Sequence, residues 1–312
     1  MDHQQLTPES EEFLEDLAEE LSVPTSRYEQ AERSYKSLGE WLHREVSSVR
    51  QYDPKVYVQG SFRLGTTIRP SNDAEEYDID SVCEFQKLSK DALTQQQLKV
   101  LLGVEIEAYR KAQNMNKPLD EGRRCWVLEY ADGAQFHMEI VPALPNGESA
   151  RILLESQGLD ARWTSTAIAI TDNEGPTYIS ITDDWPRSNP KGYSEWFKSR
   201  MAAALERRKR MLAERTRASV EDIPDYKVRT PLQAAVMILK RHRDHTFENR
   251  KDERPISMII TTLSAHSYNG EETISQALEA ILIGMDQHIL RHNGRYSGSR
   301  SEERRVGKEC RS

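Results

Sequence analysis

The apolar positions of this chain change period twice. From Thr7 to Leu21, and again from Thr25-Ser26 to about Val49, they recur at helical spacing, the second stretch placing Tyr28, Ala31, Tyr35, Leu38, Leu42 and Val46 on one face. These read as a short acidic helix opened by Thr7-Pro8 and a long spine helix. The period then shortens, and runs at 55 to 59, 77 to 85, 124 to 130 and 135 to 141 predict the strands of a sheet, the last two joined as a hairpin across Asp132-Gly133. A helix from Leu93 to Met115 is expected to pack on that sheet.

From Tyr193 the helical period returns, in YSEWFKSRMAAALERRKRML, in a helix opened by Thr230-Pro231, and at 256 to 267 and 272 to 292. Between the two regimes, residues 144 to 192 are rich in Pro, Gly, Asn, Asp and Ser and read as loops, interrupted by short apolar runs such as Tyr178 to Ile181. The pattern therefore predicts an α+β chain in two parts: a catalytic region at 1 to 192 and a helical lobe at 193 to 296. After Ile289 the period decays, and residues 297 to 312 look like a non-native read-through tail on a longer natural protein, so they are set aside.

Composition narrows the classes. With 312 residues, 37% of them hydrophobic, the chain is long enough for a bilobed unit with real cores. No apolar run approaches the roughly 20 residues a membrane-spanning helix needs, and the acidic N-terminus does not read as a signal peptide, so a cytoplasmic protein is expected. Cys83, Cys125 and Cys310 form no C-x-x-C pattern, which excludes the common zinc frameworks and suits a reducing compartment. A net charge of -8 argues against constitutive binding of long nucleic acid, which rests on releasing counterions from many phosphates. The basic stretch from Glu206 to Arg217 reads either as a solvated helix face or as a patch for a partner.

The chemistry concentrates in VYVQGSFRLGTTIRPSNDAEEYDID, from Val56 to Asp80. Gly60 and Ser61 form a turn whose N–H groups can face phosphate oxygens. Asp78 and Asp80 flank Ile79 on a strand and so share one face, as Mg2+ ligands need. A two-ion site, with ions about 3.5–4 Å apart, needs a further acid. Glu139, the one acid on the strand Gln135 to Val141, is the candidate. Gly65 serves equally as a turn glycine or beside a phosphate; Arg63 and Arg69 read as phosphate-neutralising or as solvated. On the helix after Thr230, Lys240 has a plain reading too, as a cation near a helix C-terminus.

The blocks QGSFRLGT at 59 to 66, YDID at 77 to 80, HMEIVPA at 137 to 143, TPLQAAVMILKRHRD at 230 to 244 and PISMIITTLSAH at 255 to 266 carry a resemblance. The chain resembles the bacterial cyclic GMP-AMP synthase-like nucleotidyltransferases (the CD-NTase or SMODS type), which make cyclic oligonucleotide second messengers in antiphage signalling. The resemblance implies a bilobed, polymerase beta-like α+β nucleotidyltransferase with a spine helix, a mixed catalytic sheet and a helical second lobe. It implies Asp78, Asp80 and Glu139 as catalytic metal ligands for two Mg2+ ions, with Mn2+ as a substitute. It also implies Gln59, Gly60, Ser61, Lys240 and Ser257 as nucleotide-binding residues, with the nucleotide in a cleft between lobes. Ser257 reads equally as a first-turn residue after Pro255.

Implied partners are ribonucleoside triphosphates (ATP, with GTP, CTP or UTP), a downstream effector activated by the cyclic product, and a regulator from the same defence operon. One departure stands out: the family usually has aspartate where this chain has Glu139. The expected activity is synthesis of a cyclic di- or trinucleotide with release of pyrophosphate. Two alternatives stay open: a transferase acting on an RNA end, a protein or a small molecule, and a degenerate member that binds nucleotide without turnover.

Overall fold

The computed structural model describes the chain except residues 1–6, 72–76, 131–135, 218, 221–227, 293–294 and 299–312. The expected turn at Asp132-Gly133, Cys310 and nearly all of the 297–312 tail lie outside the described residues.

The chain folds as two compact units. One holds Pro24–Arg63 and Pro70–Glu195, and the other holds the described residues up to Val23, Leu64–Arg69 and the described residues from Trp196 onward. The division expected between 192 and 193 falls at Glu195 and Trp196, inside a helix. The first helix and residues 64–69 group with the C-terminal helices rather than with the sheet.

In the sheet-bearing unit, helix α2 (Thr25–Leu42) is followed by strand β1 (Pro54–Val58) and the short helix α3 (Gly60–Leu64), whose last residue falls in the other unit. Strand β2 (Tyr77–Phe85), helix α4 (Gln95–Ala112) and strands β3 (Asp120–Glu121), β4 (Trp126–Glu129) and β5 (Phe136–Pro145) come next. Helix α5 (Gly147–Ser156) and strands β6 (Ile168–Ile170) and β7 (Arg187–Ser188) complete the unit. The strands run in the order β1-β2-β5-β4-β3, with β6 on the end of β5 and β7 on β6. β2 and β5 pair parallel and their other neighbours antiparallel, so the sheet is mixed. A parallel pair needs a long crossover. α4 lies on that crossover, opened by a reciprocal Thr94–Gln97 capping box and burying Leu98, Leu102 and Ile106.

Helix α2 ends at Leu42, short of the expected Val49. Glu105 of α4 is the reason: its carboxylate accepts from Ser48 N and Oγ, both at 2.7 Å, and pairs with Arg44 at 2.8 Å, holding the segment as turns. Val46, expected on the apolar face, is exposed. The stretch 144 to 192, expected to be loops, contains α5, whose only buried side chain is Ala150. The helix is only ten residues long and sits among turn-forming residues, and Arg151 supports it by bridging Glu148 and Glu155.

The other unit is helical. Helix α1 (Pro8–Glu20) starts at the Thr7 cap and packs Ala18 against Ala234 and Ile274. Its Glu11 carboxylate accepts from the N–H groups of Ile274 and Ser275 at 2.6 and 3.0 Å, which is why α1 belongs here. Helix α6 (Pro190–Thr216) enters this unit at Trp196. Helices α7 (Pro231–Thr246), α8 (Ser257–Ser267) and α9 (Ile274–Gly284) follow, then a hairpin of β8 (Ile289–His292) and β9 (Arg295–Gly298). The last helix is thus shorter than the expected 272 to 292, because a hairpin takes its C-terminal part.

Candidate active site

The parallel register of β2 and β5 sets Asp78 opposite His137 and Asp80 opposite Glu139. Alternation along each strand puts these four side chains on one face of the sheet. The intervening Ile79 and Met138 are buried. Two residues further on, Val82 and Val141 enter a core cluster with Cys125, Ala143, Ile168 and Ile170. The acids therefore stand at the rim of a packed floor. Asp78 is 46% exposed and Glu139 14%, a range that leaves carboxylate oxygens accessible at the rim.

The Gly60 turn is fitted to Asp80. Gly60 has φ of +61°, and a Cβ built on it would lie 2.0 Å from Asp80 Oδ2. Only glycine lets the backbone come this close to the carboxylate. The turn is also tied to β2 through Gln59, whose buried N–H donates to the Asp80 carbonyl at 2.8 Å. Phe62 anchors it from behind, its ring edge-on to Tyr28 at 5.0 Å. Ser61 is half-buried at the first turn of α3.

One residue of this face was missed. The sequence singled out no histidine as a site residue, yet His137 Nε2 lies 3.1 Å from Asp78 Oδ1 and 3.9 Å from Glu139 Oε1. The available signal was the alternation itself, since His137 and Glu139 are two apart on β5. Glu84 also shares the Asp78–Asp80–Val82 face, but Lys191 pairs with it at 3.0 Å and lies over the Tyr57 ring at 3.8 Å. Burial, with Glu84 nearby, raises the Tyr57 phenol well above its ordinary range. Glu84 thus belongs to a buried structural cluster.

The other candidates lie in the helical unit. Lys240, buried on α7, donates from Nζ to the Thr66 carbonyl at 2.7 Å. One helical stretch earlier, Gln233 caps Thr230 N with its Oε1 and donates from Nε2 to the Leu64 carbonyl at 2.9 Å. Gly65 has φ of +66°, and a Cβ there would meet Gln233 Nε2 at 2.6 Å. Gly65 thus acts as a turn glycine pressed against a side-chain amide. Arg241 Nη2 holds the Arg69 carbonyl, and Arg69 Nε donates to Ser22 O at 2.7 Å. Ser257 opens α8, and its Oγ accepts from Arg243 at 2.7 Å.

Hard carboxylate oxygens suit a hard divalent cation, and the face offers three acids with Asp80 already seated on Gly60. Among the described residues no three His, Cys, Asp or Glu side chains are gathered closely enough to hold an ion as they stand. Acids that share a face repel until a cation neutralises them. The donor chemistry of the three acids fits a divalent cation, which would draw them together.

A mixed sheet bearing an in-register acid face beside a glycine-serine turn defines the class of nucleotidyl-transfer proteins. Residues 9–174, more than half of the chain, match the Second Messenger Oligonucleotide or Dinucleotide Synthetase domain, SMODS, and the chain belongs to this family. A c-di-GMP synthase of Roseivirga ehrenbergii is 27% identical over 280 residues, covering 89% of this chain and 66% of the relative. The chain thus spans just under two thirds of that relative's length.

The CD-NTase CdnG of Bradyrhizobium diazoefficiens, solved in complex with GTP, has a TM-score of 0.64 at 19% identity, covering 89% of this chain and 76% of that one. The Rhodothermus marinus CdnE c-UMP-AMP synthase, solved with Apcpp and Upnpp, has a TM-score of 0.55 at 14% identity, covering 97% and 88%. These likenesses show the fold: an α+β, polymerase beta-like nucleotidyltransferase with a mixed sheet and a helical C-terminal region. The family implies a divalent metal. Among the described residues no helix is long and apolar enough to cross a membrane.

Proposed function

We propose that this chain is a nucleotidyltransferase that joins two ribonucleoside triphosphates into a cyclic dinucleotide, with GTP among its substrates. The observation that carries the reading is the register that sets Asp80 opposite Glu139 and beside Asp78, with the Asp80 carboxylate pressed on Gly60. GTP is favoured by the names of two relatives: a c-di-GMP synthase and a CD-NTase solved with GTP.

In this reading Asp78, Asp80 and Glu139 hold the cations, and Gly60 and Ser61, fixed through Gln59, face the triphosphate. Lys240 and Ser257 belong to the nucleotide-binding set, Lys240 also fixing the chain after α3 through Thr66. When bound, two Mg2+ ions, replaceable by Mn2+, neutralise phosphate charge and lower the pKa of the attacking hydroxyl. A ribose hydroxyl of one nucleotide attacks the α-phosphorus of the other, a P–O bond forms, and pyrophosphate leaves with its electron pair. A second displacement of the same kind closes the ring. The carboxylates contribute by holding the reacting groups in line.

The longer Glu139 keeps two oxygens, which supports turnover over a degenerate site. The product would act in the cytoplasm on an effector of the same antiphage system, with an operon-encoded regulator as the natural activator.

The test is incubation of the chain with four labelled ribonucleoside triphosphates and Mg2+ or Mn2+, then phosphatase and mass spectrometry. A phosphatase-resistant cyclic dinucleotide containing guanine is expected. Label transferred only to an added RNA, protein or small molecule would replace the reading by that of an acceptor-modifying transferase.

A further inference from the structure

We propose that His137 is a positioning residue for the cation site: it donates a hydrogen bond to Asp78 and holds that carboxylate on the acid face before any cation arrives. This rests on the reading that Asp78, Asp80 and Glu139 bind a divalent ion. His137 Nε2 is 3.1 Å from Asp78 Oδ1 and 3.9 Å from Glu139 Oε1. A lone pair at Nε2 would face two carboxylates, so Nε2 carries the hydrogen and donates. That nitrogen then has no lone pair with which to ligate a metal, which separates His137 from the ligands themselves.

The surroundings favour the same role. His137 is only 23% exposed, whereas the carboxylate it holds is 46% exposed, so the imidazole is the more firmly seated of the two. On the opposite side of β5 the register partner of His137 is Glu129, and that carboxylate is taken by Lys117. The imidazole is therefore directed to the Asp78–Glu139 side, between two acids that repel each other. Partners that hydrogen-bond metal-ligating carboxylates typically account for about 10–100-fold in metal affinity.

The experiment is an electron paramagnetic resonance titration of Mn2+ into the nucleotide-free protein, paired with steady-state rates across a Mn2+ series. His137→Ala should weaken Mn2+ binding by about tenfold or more. His137→Gln, which keeps an N–H donor, should recover most of that loss, and His137→Met, of similar bulk without a donor, should behave as Ala does. At saturating Mn2+ the His137→Ala kcat should stay within severalfold of wild type. Equal Mn2+ affinity in the Gln and Met variants and wild type overturns the proposal, as does a kcat loss that no Mn2+ concentration restores. Asp78→Asn with Asp80→Asn is the control: if it still binds Mn2+ as wild type does, the cation-site reading itself falls, whatever His137 does.

Discussion

Two sets of polar side chains, one on the β2–β5 face and one on α7, are built on opposite terms. On the sheet, Asp78, Asp80 and Glu139 crowd like charges onto one face, with His137 as a donor between two of them. On α7, Thr230, Gln233 and Lys240 are buried, and the last two spend their donors on the carbonyls of Leu64 and Thr66. The first arrangement gathers like charges that a cation would neutralise. The second satisfies main-chain groups that burial would otherwise leave unpaired. The carboxylates proposed to hold a cation stand near the rim of the sheet, while the side chains that serve the fold are buried against backbone.

Substitutions should separate the two regions. The largest effect is expected from Asp80→Asn, which should lower kcat by about a thousandfold or more, since the charge stabilisation lost is several kcal/mol and each 1.4 kcal/mol or so is tenfold. Its unfolding midpoint in urea should hold or rise, because a like charge has left the face; a large fall in stability would place Asp80 with the structural set. Gly60→Ala comes next. The added methyl collides with Asp80 Oδ2 at 2.0 Å in a left-handed conformation. Overpacking of this kind costs about 1–3 kcal/mol, and a nucleotide-binding and rate assay should show a ten- to hundredfold loss of kcat/KM.

Lys240→Met inverts the pattern. Losing the donor to Thr66 should cost about 1–3 kcal/mol of stability, read by urea unfolding. Because Lys240 is also placed in the nucleotide-binding set, nucleotide KM should rise as well; an unchanged midpoint would remove the structural half of its role, and an unchanged KM the binding half. The smallest effect on activity concerns Asp172. Burial pushes its carboxyl up, but hydrogen bonds from Arg123 and Arg124 outweigh this and leave it below the ordinary carboxylate range. A pKa depressed by folding contributes stability that is present above the unfolded value and lost as pH falls through the folded one. Asp172→Asn should therefore lower stability at neutral pH and flatten the acid limb of the stability curve as pH falls through and below the ordinary carboxylate range, checked by thermal unfolding against pH.

The β2–β5 region was largely legible in the sequence because a strand's period of two assigns faces without knowledge of the fold. Tyr77–Phe85 has the bounds expected of it, and Glu139 was singled out as the one acid on its strand. The parallel pairing that sets Asp80 against Glu139 was not legible, since register between distant strands is settled by packing of the whole sheet. His137 escaped notice because its partner lies 59 residues away in sequence, across that register. The α7 contacts were hidden for a related reason: a lysine near a helix end reads as a cap or a ligand, and only tertiary structure brings the Thr66 carbonyl to it. Helix ends depended on single distant groups as well, as with Glu105 at the end of α2.

The central claim is that Asp78, Asp80 and Glu139 together hold the catalytic cation. Its most direct test is a crystal structure of the protein with Mn2+ and a non-hydrolysable GTP analogue, read by anomalous scattering. The account predicts Mn2+ peaks within about 2.0–2.6 Å of carboxylate oxygens from all three residues, with the triphosphate beside Gly60 and Ser61. A bound nucleotide whose Mn2+ lies away from these carboxylates would contradict it.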